Sequence, residues 1–244
     1  MHPSTPKDAN VERLKEQAAA EAVKYVQSGM VVGLGTGSTA RYAIELIGEA
    51  LQRSRLRDII GIPTSEATAA LARRVGIPLS TLAEHPRLDL TIDGADEVDP
   101  HLNLIKGMGG ALLREKIVAA ATSLEIIVVD DSKLVDVLGM RSPLPVEVVP
   151  FGLGTYEDRL RSLGADPILR LANGRPYVTD NGNYLYLCHF ARIDNPYLLE
   201  RDLNLIPGVI ENGLFLDLTH RVIVASAEGI RTLERAKNSV TTGI

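Results

Sequence analysis

The chain has 244 residues, 45% of them hydrophobic and 23% charged, close to globular averages and enough for one large domain or two smaller ones. Its 26 basic against 31 acidic side chains leave a net charge of -5, the wrong sign for a nucleic-acid surface, and the lone Cys188 excludes an internal disulfide or a multi-thiolate zinc site. No stretch reaches the ~18 uninterrupted apolar residues of a spanning helix, and the opening MHPSTPKDANVERL lacks the apolar centre of a signal peptide. The expectation is a cytoplasmic protein with no membrane and no nucleic-acid partner.

From Asp8, the spacing of Val11, Leu14, Ala18, Ala22 and Tyr25 predicts a helix, with Gly29 placed to terminate it. Met30 to Leu34 predicts a strand that runs into Gly33, Gly35 and Gly37, and Ser38 to Arg53 a helix. The unit recurs as a strand at Ile59 to Pro63 with a helix at Ser65 to Val75, then a strand at Leu88 to Asp93 with a helix at Gly110 to Thr122. Ile126 to Val129 is a fourth strand. Short apolar strands separated by helices predict a doubly wound α/β sheet, because parallel strands need long crossovers and bury both faces.

After Arg141 the texture changes. Pro143, Pro145 and Pro150 punctuate the chain before a helix at Tyr156 to Leu163, and Thr179-Asp180-Asn181-Gly182-Asn183 signals a hairpin followed by alternating Tyr184, Tyr186 and Cys188. A helix at Pro196 to Leu205 and a strand at Leu214 to Leu218 complete a small α+β unit. A strand at Arg221 to Ala225 and a last helix return to the first pattern. The boundaries follow: 1–141 with 219–244 as one domain, and 142–218 as an insertion.

Gly33-Leu34-Gly35-Thr36-Gly37-Ser38-Thr39-Ala40 lies where a strand ends and a helix begins, a place where free N–H groups and the helix dipole attract a phosphate. No Lys follows the last glycine and Ser38 occupies the third Gly/Ala position, so neither an ATP loop nor a dinucleotide fingerprint is matched. A tight turn with a Ser or Thr capping the helix is the bland alternative. Asp93-Gly94-Ala95-Asp96-Glu97-Val98-Asp99 follows the third strand, and Asp93 is favoured because ligands bind at strand carboxyl ends. Turn capping by Asp93 and Asp96, or a divalent cation, are the other readings, although Val98 stands where a calcium loop needs Gly. Lys106-Gly107-Met108-Gly109-Gly110 precedes a helix on which the neighbours of Glu115, namely Ala111, Leu112, Val118 and Ala119, are all apolar. No cation on that helix can pair with it, and an apolar setting raises a carboxylate's pKa towards that of a general base; a solvated helix face is the other reading of Glu115, and a solvated loop lysine that of Lys106. Lys133 also follows a strand end, where it could meet the phosphate. The histidines at 2, 85, 101, 189 and 220 show no metal-ligand spacing.

Together GLGTGSTA, TIDGADEVD, IKGMGGALLREKIVA, VDDSKLVD, PLPVEVVPFG, VTDNGN and IPGVIENGLF closely resemble the type A ribose-5-phosphate isomerases, across most of the chain. The resemblance implies a Rossmann-like domain carrying an inserted ferredoxin-like α+β domain, and interconversion of ribose 5-phosphate and ribulose 5-phosphate with no cofactor and no metal. It implies substrate contacts from Thr36, Gly37, Ser38 and Thr39 to the phosphate, from Asp93, Gly94, Ala95 and Asp96, and from Lys106, Gly107, Met108, Gly109 and Lys133. Glu115 matches the family's base, Lys106 its cationic stabiliser and Asp93 the acid that opens the furanose ring. The family usually has glycine at the position of Met108. A homodimer or a dimer of dimers is implied. A non-catalytic sugar-phosphate sensor and coenzyme A transferase-like acyl transfer are the rival readings.

Overall fold

The structure, a computed structural model, describes residues 6–235. In chain order, α1 (Pro6–Val23) leads to β1 (Val31–Leu34), α2 (Ser38–Gln52), β2 (Ile60–Pro63), α3 (Glu66–Arg74), β3 (Leu90–Asp93), the short β4 (Glu97–Val98) and β5 (Leu104–Ile105), α4 (Leu112–Ala120) and β6 (Glu125–Asp130). There follow β7 (Leu144–Val148), α5 (Tyr156–Ser162), β8 (Asp166–Leu169), β9 (Leu171–Ala172), β10 (Arg175–Pro176), β11 (Tyr184–His189), α6 (Pro196–Asn204), β12 (Val209–Asn212), β13 (Leu214–Phe215), β14 (Arg221–Ser226) and β15 (Gly229–Glu234).

The main sheet has the order β15-β14-β6-β3-β1-β2 and is parallel except for β15. Ile126 and Val128 of β6 pack with Leu14, Ala18 and Ile44 of α1 and α2, whereas Ile127 and Val129 pack with Ala119 of α4 and Phe215 on the other face. Burial of alternate residues on opposite faces is what a doubly covered parallel strand requires. The chain leaves β1 towards β2 and then crosses back to β3 on its other side. The carboxyl ends of β1 and β3 therefore frame the crevice at a topological switch point, the usual ligand position in such sheets.

The second sheet, β12-β7-β11-β8, is antiparallel throughout. Counted within its own β-α-β-β-α-β segment, the order is four-one-three-two, the ferredoxin-like connectivity. Val146, Tyr186 and Cys188 pack against Leu160 of α5 and Leu203 of α6. The proline spacing did not reveal β7 as a strand, yet all five of its residues are buried. Pro145, which has no N–H to give, still accepts from Gly213 N–H at 2.8 Å. At Asn181-Gly182 the turn forms as expected, with Gly182 at φ +80 and Thr179 N–H on Asn183 O at 2.9 Å.

Three elements differ from expectation. The first helix ends at Val23, and Gly29, at φ +88, closes the turn after it. The strand expected at Leu214 to Leu218 is only Leu214–Phe215 and pairs with β5 outside the inserted sheet, whose last strand is β12. Buried Asn212 directs that exit: its Oδ1 accepts Leu214 N–H and its Nδ2 donates to Asn204 Oδ1. The last helix is replaced over Gly229–Glu234 by β15, which folds back on β14 with Leu233 packed on the core. The rest of that expected helix, 236–244, lies outside the described residues, as does His2.

Candidate active site

At the end of β1 the chain must lie flat against β3. A Cβ on Gly35 would collide with the Asp93 carboxyl, so only glycine permits the approach. Gly37 then takes φ +117 as the N-cap of α2, and no side chain caps that helix. Arg41 N–H bonds to Gly37 O, while among the described residues the N–H groups of Ser38, Thr39 and Ala40 find no acceptor. Uncapped N–H groups at the positive end of a dipole form an anion site. The hydroxyl of Thr36 does not serve it. That oxygen is turned into a cluster with Thr64 Oγ1 at 2.7 Å, Ser65 Oγ at 2.8 Å and Thr68 Oγ1 at 3.1 Å.

The turn opens on a cleft of about 130 Å³ lined by Thr36 to Thr39, Gly94 to Asp96, Lys106, Gly107, Gly109, Glu115 and Lys133. These are the sequence-predicted residues except Asp93 and Met108. Asp93 lies behind the wall, 1% exposed, where Oδ1 accepts Thr36 N–H at 3.1 Å and Gly94 N–H at 2.7 Å. Met108 is not part of the lining, and its N–H donates to Asp96 Oδ2 at 3.1 Å. Lys15 of α1 also lines the cleft. Sequence reasoning missed it because a lysine on an amphipathic helix carries no local mark of a ligand. A wider groove of about 860 Å³ runs past Asp99, His101, Tyr197 and Arg235 and contains none of the predicted site residues.

At the inner end stands Lys106, 2% exposed at the end of β5. Its Nζ lies 3.0 Å from Asp93 Oδ2 and 3.6 Å from Glu115 Oε2, donates to Gly94 O at 2.5 Å, and sits 5.3 Å from the ring centroid of Phe215. Glu115 therefore has a cationic neighbour after all, supplied from another segment rather than from its own helix. Glu115 Oε2 accepts no hydrogen bond among the described residues. Burial pushes the Glu115 carboxyl up to about 8; the Lys106 ammonium opposes the rise and the Asp93 and Asp96 carboxylates add to it. For Lys106, burial works against the ammonium, but Asp93 and Glu115 outweigh it and hold the pKa above the ordinary lysine value. Burial also raises Asp96, against the Met108 N–H.

The other acids of the loop turn elsewhere. Glu97 accepts Gly139, Arg141 and Ser142 N–H groups, and Asp99 accepts those of His101 and Asn103. Among the described residues no three His, Cys, Asp or Glu side chains are grouped to hold a metal ion. A second buried acid, Glu125 at the start of β6, lies on the sheet face of Asp93 with Oε2 unbonded, and burial raises its pKa well above the ordinary value. Its only sequence signal is a charge at the head of an apolar strand.

Residues 60–229 match the family profile of Ribose 5-phosphate isomerase A (phosphoriboisomerase A). The chain belongs to the ribose 5-phosphate isomerase A family. A ribose-5-phosphate isomerase A of Rhodopseudomonas palustris is 53% identical over 92% of this chain and 99% of its own length. One from Roseiflexus castenholzii is 51% identical over 90% and 94%. Among solved structures, a D-ribose-5-phosphate isomerase in complex with phospho-erythronic acid superposes with a TM-score of 0.91 at 46% identity, covering 93% of this chain and all of the other. The isomerase A of Methanocaldococcus jannaschii gives 0.87 at 43% identity, covering 91% and 99%.

Proposed function

We propose a proton-transfer mechanism for the reaction of this isomerase, the interconversion of ribose 5-phosphate and ribulose 5-phosphate. The observation that carries it is the buried group at one end of the cleft, Glu115 and Lys106 separated by 3.6 Å, facing an anion site at the other. The sugar phosphate is held by the N–H groups of Ser38 and Thr39, flanked by Lys133 and Lys15, which leaves C1 and C2 beside Glu115. Opening of the furanose ring, in which the C1 hydroxyl loses its proton, the bond from C1 to the ring oxygen breaks and that oxygen is protonated, is assigned to Asp93 acting through the cleft-lining Lys106 ammonium 3.0 Å from its Oδ2, since Asp93 itself lies behind the wall. Glu115 then takes the C2 proton. The electron pair forms the C1–C2 double bond, and the C1 oxygen becomes an oxyanion that the Lys106 ammonium stabilises, giving a cis-enediolate. The proton on O2 passes to O1 and Glu115 returns its proton to C1. Binding energy at the phosphate thus fixes the reacting carbons near one carboxylate.

The reading includes two units, 1–141 with 219–244 and 142–218, a homodimer or dimer of dimers, a cytoplasmic setting and no cofactor. Support for the units is that each sheet has its own core. The test is conversion of ribose 5-phosphate in the presence of EDTA in deuterated water. Product formation with deuterium entering the sugar at the transferred position is expected. Binding without exchange would indicate a sensor, and exchange of acyl groups with coenzyme A a transferase; either overturns the isomerase mechanism.

A further inference from the structure

The inserted unit touches the cleft wall at a point that the mechanism above leaves unused. Arg170 directly follows β8, with its own N–H on Leu185 O at 2.8 Å and its carbonyl accepting Tyr177 N–H at 2.9 Å, so its backbone is fixed within that unit. Its guanidinium lies 4.1 Å from the Tyr177 ring centroid, and Nη1 donates to Met108 O at 2.8 Å. The Met108 carbonyl and the Gly109 N–H share one trans peptide and point in opposite directions. Holding the carbonyl towards Arg170 therefore turns the Gly109 N–H the other way, towards the cleft that Gly109 lines and Met108 does not. Among the described residues nothing accepts that N–H. Between glycines at 107, 109 and 110 the peptide would rotate at little cost if it were not held.

We propose that Arg170 is a positioning residue for the isomerisation: it fixes the Met108–Gly109 peptide so that Gly109 N–H donates to the substrate oxygen on which negative charge develops. The role rests on the isomerase mechanism above and adds a second, neutral donor to the Lys106 ammonium. A preorganised N–H is worth most where charge appears only in the transition state. A planar guanidinium stacked on an aromatic ring is suited to hold a carbonyl rigidly, which a lysine does less well.

The experiment compares wild type, Arg170→Ala and Arg170→Lys. Arg170→Ala should lower kcat about 10- to 100-fold, with KM for ribose 5-phosphate and the inhibition constant of inorganic phosphate each within about threefold of wild type. Added guanidinium should restore part of the kcat of Arg170→Ala, and Arg170→Lys should lie between the two. Phospho-erythronic acid, whose carboxylate oxygens stand in for the enediolate oxygens, should bind Arg170→Ala about tenfold more weakly by calorimetry. A kcat within twofold of wild type overturns the proposal. So does a loss that neither guanidinium nor lysine restores and that phosphate affinity shares, since that is the mark of a merely structural role. If wild type neither converts the sugar nor exchanges its proton, the isomerase mechanism fails and this role with it; an active wild type with an unaffected Arg170→Ala removes this role alone.

Discussion

The two ends of the cleft are built on opposite principles. At the end proposed for the phosphate the donors are backbone N–H groups at the start of α2, with Lys15 and Lys133 lining the same cleft. At the end proposed for the chemistry Glu115, Lys106 and Asp93 are each 4% exposed or less, with both carboxylates beside the one ammonium. A charge that must only be gripped is served by fixed dipoles with cations beside them, of which Lys15 is held by Glu12 at 2.7 Å. A proton that must be moved near neutral pH needs a carboxylate whose pKa burial has raised. The comparison predicts that binding and chemistry can be damaged separately.

The sharpest break is at Glu115. Glu115→Gln should lower kcat by about two to four orders of magnitude while inorganic phosphate still inhibits as in wild type. Because the base works ionised and its pKa is raised to about 8, wild-type kcat/KM should rise as pH increases towards 8 and level off above it. That limb should vanish in the variant. Steady-state rates from pH 6 to 9.5 check both, and a flat wild-type profile would sever the link between burial and reactivity. At the other end, Lys133→Ala should weaken phosphate inhibition about tenfold and Lys15→Ala by less, with kcat nearly unchanged. Competition by inorganic phosphate measures it, and a large fall in kcat instead would mean that the two ends are not separable.

The smallest effect concerns stability. Burial holds Glu125 well above its ordinary pKa of 4.5, so the folded chain keeps a proton that the unfolded chain releases. Relative to glutamine at this position, stability is fully present below pH 4.5 and declines as pH rises towards the folded-state pKa. Glu125→Gln should therefore be more stable than wild type at pH 8 by more than the ~1.4 kcal/mol of a single pKa unit, with the gap closing near pH 4.5. Urea unfolding at the two pH values checks this, and a gap independent of pH would contradict it.

The strands β1, β2, β3 and β6 and the helices between them were legible because their apolar runs and periods are local properties. So were the glycine turn, Asp93 at a strand end, and the apolar neighbours of Glu115 along its helix. Less legible was the hairpin β14–β15, read as strand and helix, since Leu233 finds its core only through the fold. Strand β7 was hidden by prolines whose missing N–H is harmless in that register.

By itself, then, the sequence determined the alternation that makes a doubly wound sheet and the glycines at 35 and 37 that the turn requires, and it offered Glu115 as the candidate acid and, through the family resemblance, Lys106 as the candidate ammonium. Only the tertiary structure decided that Lys106 meets Glu115, that Lys15 reaches the same cleft, that Thr36 spends its hydroxyl elsewhere and that Arg170 arrives from the insertion. The reason is physical. Backbone preference and side-chain periodicity act over a few residues, whereas pKa shifts and ion pairs depend on distances of a few ångströms between segments far apart in the chain.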